Sequence, residues 1–236
     1  MSSIKSKSFV LVMLLIFSAP SIAFQANIAN KNTTALDKHR NEVAHFYGLK
    51  SVKNFILLPI KGYQQTEDYT CGPASVMSLM NYYGMLSSKQ MNKTTELKIA
   101  KEMGTTKEVG TSPQQIINWL EHHGFEVKSG ENGTVSMLQD NLKKGIPTIV
   151  EWIDWGGHWE VVTGYNAVGK TSDEDKDTIF FANPSAHFEN ANIKFINGIT
   201  IFNPDRFASM WFDAQYFNPG HLVKGIYIVA VPKTVS

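Results

Sequence analysis

The order in which two periodicities appear is the strongest constraint on this chain. Up to about residue 144 the apolar residues recur at helical spacing, and from Ile146 onward they come in short continuous runs. Each helical stretch carries its own punctuation. Val76, Met77, Leu79, Met80 and Tyr83 follow Cys71 at spacings of three and four, and Gly84 stops the pattern. Ser87 and Gln90 have capping-box spacing ahead of a helix through Leu97, Ala100 and Met103, which ends at Gly104. Ser112-Pro113-Gln114-Gln115 supplies a cap, a proline at the first helical position and a glutamine three residues after the cap. Ile116, Ile117, Trp119 and Leu120 follow it, and Gly124 closes. Another short helix is expected over about 135–144. Phe55–Ile60 reads as an early strand. Later strands are expected at Ile146–Trp152, Gly157–Tyr165, Ile179–Ala182, Ile199–Phe202 and Gly225–Val231, with a short helix near Asp205–Phe212. Helices first and strands afterwards predict an α+β fold.

Composition narrows the class. A chain of 236 residues with 43% apolar and 18% charged residues suits one domain, or at most two, with a sizeable core. A net charge of +1 gives no reason to expect nucleic acid as a partner. Residues 1–23 read as a signal peptide: Lys5 and Lys7, an apolar run from Phe9 to Phe17, then Ser21-Ile22-Ala23 at the cleavage position. Residues 24–54 read as a leader or linker, in which Leu36, Val43, Ala44 and Tyr47 fit one short helix ending at Gly48. Residues 55–236 form the domain. The chain is therefore expected to be exported, periplasmic or secreted, without stable membrane association once the signal is removed.

Cys71 is the single cysteine, so it closes no internal disulfide. It stands at a helix start, with Pro73 in the first turn, where a missing N–H is harmless. Free N–H groups and the helix dipole favour an anion there, which predicts a thiol that loses its proton easily. A nucleophile needs a base, and the base needs an orienting group. Of seven histidines, His158 is singled out: it opens a strand after two glycines and precedes Val161-Val162. Asn183 ends the neighbouring strand, where its amide would fix the imidazole, as in Cys-His-Asn sites. Gln65, or Gln64 one residue earlier, lies just upstream of Cys71, within reach of an oxyanion. Trp152, Trp155 and Trp159 crowd the histidine strand, and Trp155 and Trp159 are candidates for substrate contact. Asp173-x-Asp175-x-Asp177 lacks the glycine and distant glutamate of a calcium loop and reads as a solvated hairpin tip. Neither a metal nor a cofactor is expected.

Three motifs occur in order: Gln65-x5-Cys71-Gly72-Pro73-Ala74-Ser75, then Gly157-His158-Trp159-Glu160-Val161-Val162-Thr163-Gly164-Tyr165, then Ala182-Asn183-Pro184. Together they resemble the bacteriocin-processing (double-glycine leader) peptidase-like family. The resemblance implies a papain-like cysteine peptidase fold over roughly residues 55–232. It also implies Cys71 as nucleophile, His158 as general base and acid, Asn183 as orienter, Gln65 as oxyanion donor, and a peptide or protein as substrate. The family more often has Asp before the proline where this chain has Asn183. Nothing in these residues reads as the transporter domains fused to such leader peptidases, so a double-glycine leader is not implied as the substrate. The same triad would also serve an acyl transferase, in the manner of phytochelatin-synthase-like proteins. A binding or effector module with a vestigial triad is the third reading.

Overall fold

A computed structural model describes residues 33–49, 53–168, 177–186, 198–213 and 220–234. Among the described residues, six α-helices and seven strands alternate less cleanly than the two periodicities suggest. The helices are α1 (Thr33–Phe46), α2 (Cys71–Tyr82), α3 (Lys93–Met103), α4 (Pro113–His122), α5 (Val135–Lys143) and α6 (Pro204–Met210). The strands are β1 (Phe55–Leu57), β2 (Phe125–Gly130), β3 (Thr148–Trp152), β4 (His158–Asn166), β5 (Thr178–Ala182), β6 (Ile199–Phe202) and β7 (Tyr227–Pro232).

One antiparallel sheet organises them, in the order β2-β7-β3-β4-β5-β6, with β1 also on β4. β4 is the central strand, and all nine of its residues are buried. Along one edge β3 pairs with its first half, from Trp152 opposite His158 to Thr148 opposite Val162. β1 then takes over opposite Gly164, Tyr165 and Asn166. A Cβ on Gly164 would lie 2.7 Å from the Ile56 carbonyl oxygen, so the close approach of β1 requires glycine there. The two faces of β3 and β4 are covered differently. Trp152 lies against Phe181, Phe202 of β6 and Phe207 of α6. On the opposite face Trp159 sends its indole N–H to the Thr111 carbonyl (2.8 Å), just before α4. Gly72 of α2 fits beside it because a Cβ there would meet Thr111 at 2.9 Å.

Local signals set most helix starts. α4 has its full capping box from Ser112 and Gln115, with proline at the helix entry. Ser87 and Gln90 do pair, with the Gln90 side chain accepting from the Ser87 N–H at 3.0 Å, but they close a turn. The helix begins later, at Lys93, capped by Asn92. α6 starts at Pro204 behind the Asn203 cap, one residue before its expected position, and ends at Met210. β2 is a strand that the apolar pattern does not announce. It pairs only with β7, and Phe125 is its one fully buried residue, so two-residue alternation never develops. α1 docks on the domain through buried Val43 and Ala44, and the Tyr47 hydroxyl donates to the Ile199 carbonyl. Residues 1–23 lie outside the described residues, and among those described no helix is long and apolar enough to cross a membrane.

Candidate active site

Cys71 is the first residue of α2. The residue before it, Thr70, makes no side-chain cap, because its hydroxyl is turned to Glu67 and Glu96. The first-turn N–H groups are therefore left for the site. The thiol receives backbone N–H groups from Trp159, Gly72 and Cys71 itself. β5 pairs with β4 only as far as Val161, and Trp159, nearer the start of the strand, turns its backbone to α2 instead. Its N–H points at the Cys71 sulfur, and its carbonyl accepts from Ser75 Oγ (3.0 Å), one helical turn further on. Two backbone contacts thus fix the nucleophile helix against the residue that follows His158.

His158 opens β4 and is 4% exposed. Its Nε2–H donates to Asn183 Oδ1 at 2.9 Å. The same Oδ1 accepts from the Ser185 N–H (2.8 Å), while Nδ2 of Asn183 donates to Thr200 Oγ1 (3.4 Å). These partners set which end of the amide is oxygen, and hence which ring nitrogen carries the proton. The glutamine loop is tied to the same turn. The Gln65 N–H donates to the Pro184 carbonyl (3.0 Å), Ser185 Oγ donates to Gln65 Oε1 (2.9 Å), and Gln64 Nε2 donates to the Asn183 carbonyl (3.0 Å). The Gln65 amide itself donates back to the Glu67 carbonyl (2.9 Å). These partners of Gln65 lie in the loop and the turn, and not at the sulfur.

The electrostatics correct one expectation. The helix start does not leave the thiol acidic: burial pushes Cys71 up to about 11, and the three N–H groups offset that only partly. Burial likewise lowers the His158 imidazole, against the opposing pull of the Asn183 hydrogen bond and the Asp154 charge. Thiol and imidazole are both neutral at rest. Glu160, two residues along β4 and fully buried, lies 3.6 Å from His158 Nε2 and accepts from Trp152 Nε1 (3.1 Å). Burial holds its carboxyl well above the ordinary range and so disfavours its charged form beside the imidazole.

Three residues of the site escaped the sequence reading. Glu160 looked like an ordinary strand residue. Glu96 of α3 is completely buried and accepts from the Thr66 N–H (2.8 Å), Thr66 Oγ1 (2.8 Å), Tyr63 OH (2.9 Å) and Thr70 Oγ1. It clamps the loop that carries Gln65 into Cys71. Ser185 bridges the two loops. The clearest local signal was for Ser185, in the Asn-Pro-Ser turn; Glu96 sits on a helix face that looks amphipathic. Trp159, expected to touch substrate, is 3% exposed and packs between β4 and the Thr111 loop. Trp155 stands in the turn Asp154–Gly156, and its side chain lies outside the described residues. Asp177 accepts from Tyr165 OH (2.6 Å) and the Val168 N–H (3.0 Å), a hairpin role. Asp173 and Asp175 lie outside the described residues. No cluster of three or more metal-ligating side chains occurs among the described residues.

Comparison with known proteins adds a family to this geometry. Solved structures similar to this chain include the peptidase domain of Streptococcus ComA, a bi-functional ABC transporter involved in a quorum-sensing pathway. It is 20% identical, with a TM-score of 0.49, covering 74% of this chain and 99% of that one. A double glycine motif protease from an AMS/PCAT transporter, in complex with the leader peptide, is 16% identical with a TM-score of 0.48, covering 75% and 94%. The peptidase domain of Streptococcus mutans ComA is 18% identical with a TM-score of 0.42, covering 73% and 99%. No curated protein matches the chain. The family match spans residues 57–210 and takes in Gln65, Cys71, His158 and Asn183 together, so the chain, α+β and built with its cysteine at a helix start packed on an antiparallel sheet, belongs to the Peptidase_C39 like family.

Proposed function

We propose that this chain is an exported cysteine peptidase that hydrolyses peptide bonds with Cys71, His158 and Asn183, and with Gln65 as oxyanion donor. The observation that carries the reading is the 2.9 Å hydrogen bond from His158 Nε2 to Asn183, in a peptidase family, on the strand whose next N–H meets the Cys71 sulfur. With Nε2 committed to Asn183, Nδ1 is left to serve the thiol.

Because thiol and imidazole are both neutral at rest, proton transfer accompanies attack. Cys71 Sγ bonds to the carbonyl carbon as its proton passes to His158 Nδ1. The carbonyl electrons move to oxygen, where the Cys71 N–H donates. The Gln65 amide turns from the Glu67 carbonyl to donate as well; losing such a donor typically costs about 2.7–4 kcal/mol of barrier. His158 then gives its proton to the leaving amine, the C–N bond breaks and a thioester remains. Water, deprotonated by His158, attacks the thioester; the acid leaves and the thiol is restored. Export rests on the signal-like first 23 residues. The test is digestion of a mixed peptide library read by mass spectrometry. The wild-type chain should produce new termini, and Cys71→Ala should produce none. Cleavage that survives Cys71→Ala would end the proposal.

A further inference from the structure

A cleft of about 220 Å³ lies between α4 and the β3–β7 pair. Pro113 and Ile117 give it one apolar wall, and Tyr227 and Ile228 another. Among the described residues three acids line it, Glu131, Glu151 and Asp213, and no lysine or arginine does. The triad uses none of them. Glu151 is the decisive group. It is 4% exposed, and its Oε2 is buried without a hydrogen-bond partner among the described residues. A buried polar oxygen left in that condition costs free energy until a donor reaches it. Asp213, 7% exposed, spends one oxygen on the Val223 N–H (3.1 Å). Burial, and then the nearby Asp213, push the Glu151 carboxyl up to about 8.

Glu151 links the cleft to β4, the strand that carries His158. Glu151 stands opposite Trp159 in the β3–β4 ladder, and it is the Trp159 N–H that meets the Cys71 sulfur. A charge on Glu151 is felt at that thiol, which it raises. The entry of α4, with Pro113, follows directly on Thr111, against which Gly72 of α2 packs.

We propose that this cleft is a subsite for a basic side chain of the peptide substrate, its aliphatic stem against the apolar walls and its cationic head on Glu151 and Asp213. The proposal rests on the peptidase reading and names a substrate class for it. Arginine and lysine combine an apolar stem with a charged donor, which is what walls of hydrocarbon ending in carboxyls complement. An apolar side chain would fill the walls and leave Glu151 Oε2 without a donor, and a neutral donor would bring no charge to the carboxyls.

The test separates binding from turnover. Acetylated hexapeptide amides, each with a single arginine at one position, are titrated calorimetrically into the Cys71→Ala chain beside twins carrying neutral citrulline. Lysine and norleucine twins form a second pair. At one position the basic peptide should bind about tenfold tighter or more than its twin. Glu151→Gln in the same background should bring that ratio to near one. Equal affinity of the twins at every position, binding or not, overturns the subsite. So does a preference that Glu151→Gln leaves intact. Because the twin comparison needs no change at Glu151, it stands even if that variant fails to fold. Wild-type chain that cuts no peptide while the twins still differ would sink the peptidase reading and leave the subsite standing.

Discussion

His158 carries the chemistry of the site in its two nitrogens, and its pH dependence follows from its surroundings. The ring must be unprotonated to accept from Cys71. Burial lowers its pKa from the ordinary 6.5, so protonation sets in only below that value. We therefore expect kcat/KM to hold down through pH 6.5 and to fall on the acid side, in a pH–rate profile on a neutral peptide. Asn183→Asp would set an anion beside Nε2 and raise the imidazole, typically by about 1–3 pH units. Its acid limb should move upward accordingly; an unmoved limb would show that residue 183 does not act on the ring. His158→Ala should lose about 10²–10⁴-fold in kcat, the usual worth of acid–base catalysis. Asn183→Ala should keep weak activity, since it removes only the orientation. Equal, mild losses in the two variants would contradict these roles.

At the scale of elements, the site is held by contacts that join distant pieces of chain. Glu96 ties α3 to the loop between β1 and α2 through four donors. Glu96→Ala should destabilise the chain by about 3–5 kcal/mol in chemical denaturation, because four donors lose their common acceptor on a fully buried side chain together. Activity below the unfolding midpoint should fall mainly in kcat, because Gln65 and Cys71 lose their mutual placement. A loss confined to KM would argue against a positioning role. β1 against β4 gives a second case. Gly164→Ala would put a Cβ 2.7 Å from the Ile56 carbonyl oxygen, a backbone atom that cannot step aside alone. We expect a loss above about 1 kcal/mol, with β1 amides exchanging faster with solvent than those of β3. Unchanged exchange in Phe55–Leu57 would refute the steric argument.

For the whole molecule, Glu151 and Glu160 tilt stability with pH. Glu151 has a folded pKa of about 8, above the 4.5 of an ordinary glutamate, and Glu160 is raised well above 4.5 as well. A raised folded value means the protonated side chain suits the fold. That contribution is complete below pH 4.5 and is lost as pH climbs toward the folded value. For Glu151 the loss runs between roughly pH 4.5 and 8, at about 1.4 kcal/mol per pH unit. The melting temperature of the wild-type chain should decline over that window relative to Glu151→Gln, which has nothing to ionise. Parallel curves for the two proteins would remove Glu151 as the cause.

What the sequence by itself determined was local. The capping box of α4, the cysteine at the head of α2, the strand after the paired glycines and the Asn-Pro turn all depend on residues within a few positions of one another. Backbone hydrogen bonding and periodicity write such features directly into neighbouring side chains, and the helical and strand halves were legible for that reason. What the tertiary structure decided depends on what lies across the fold. The pairing of β2 comes from β7, about a hundred residues away, so its own polar sequence could not announce it. The thiol at a helix start reads as acidic until the sheet closes over it, when desolvation outweighs three N–H groups. Trp159 reads as a candidate for substrate contact until Thr111 accepts its indole. Glu96, Glu151 and Glu160 are three ordinary glutamates in sequence, and three different environments in the fold give one a clamp, one a place in an acid-lined cleft and one a place beside the imidazole. Burial sums over contacts from the whole chain, and no local window contains that sum.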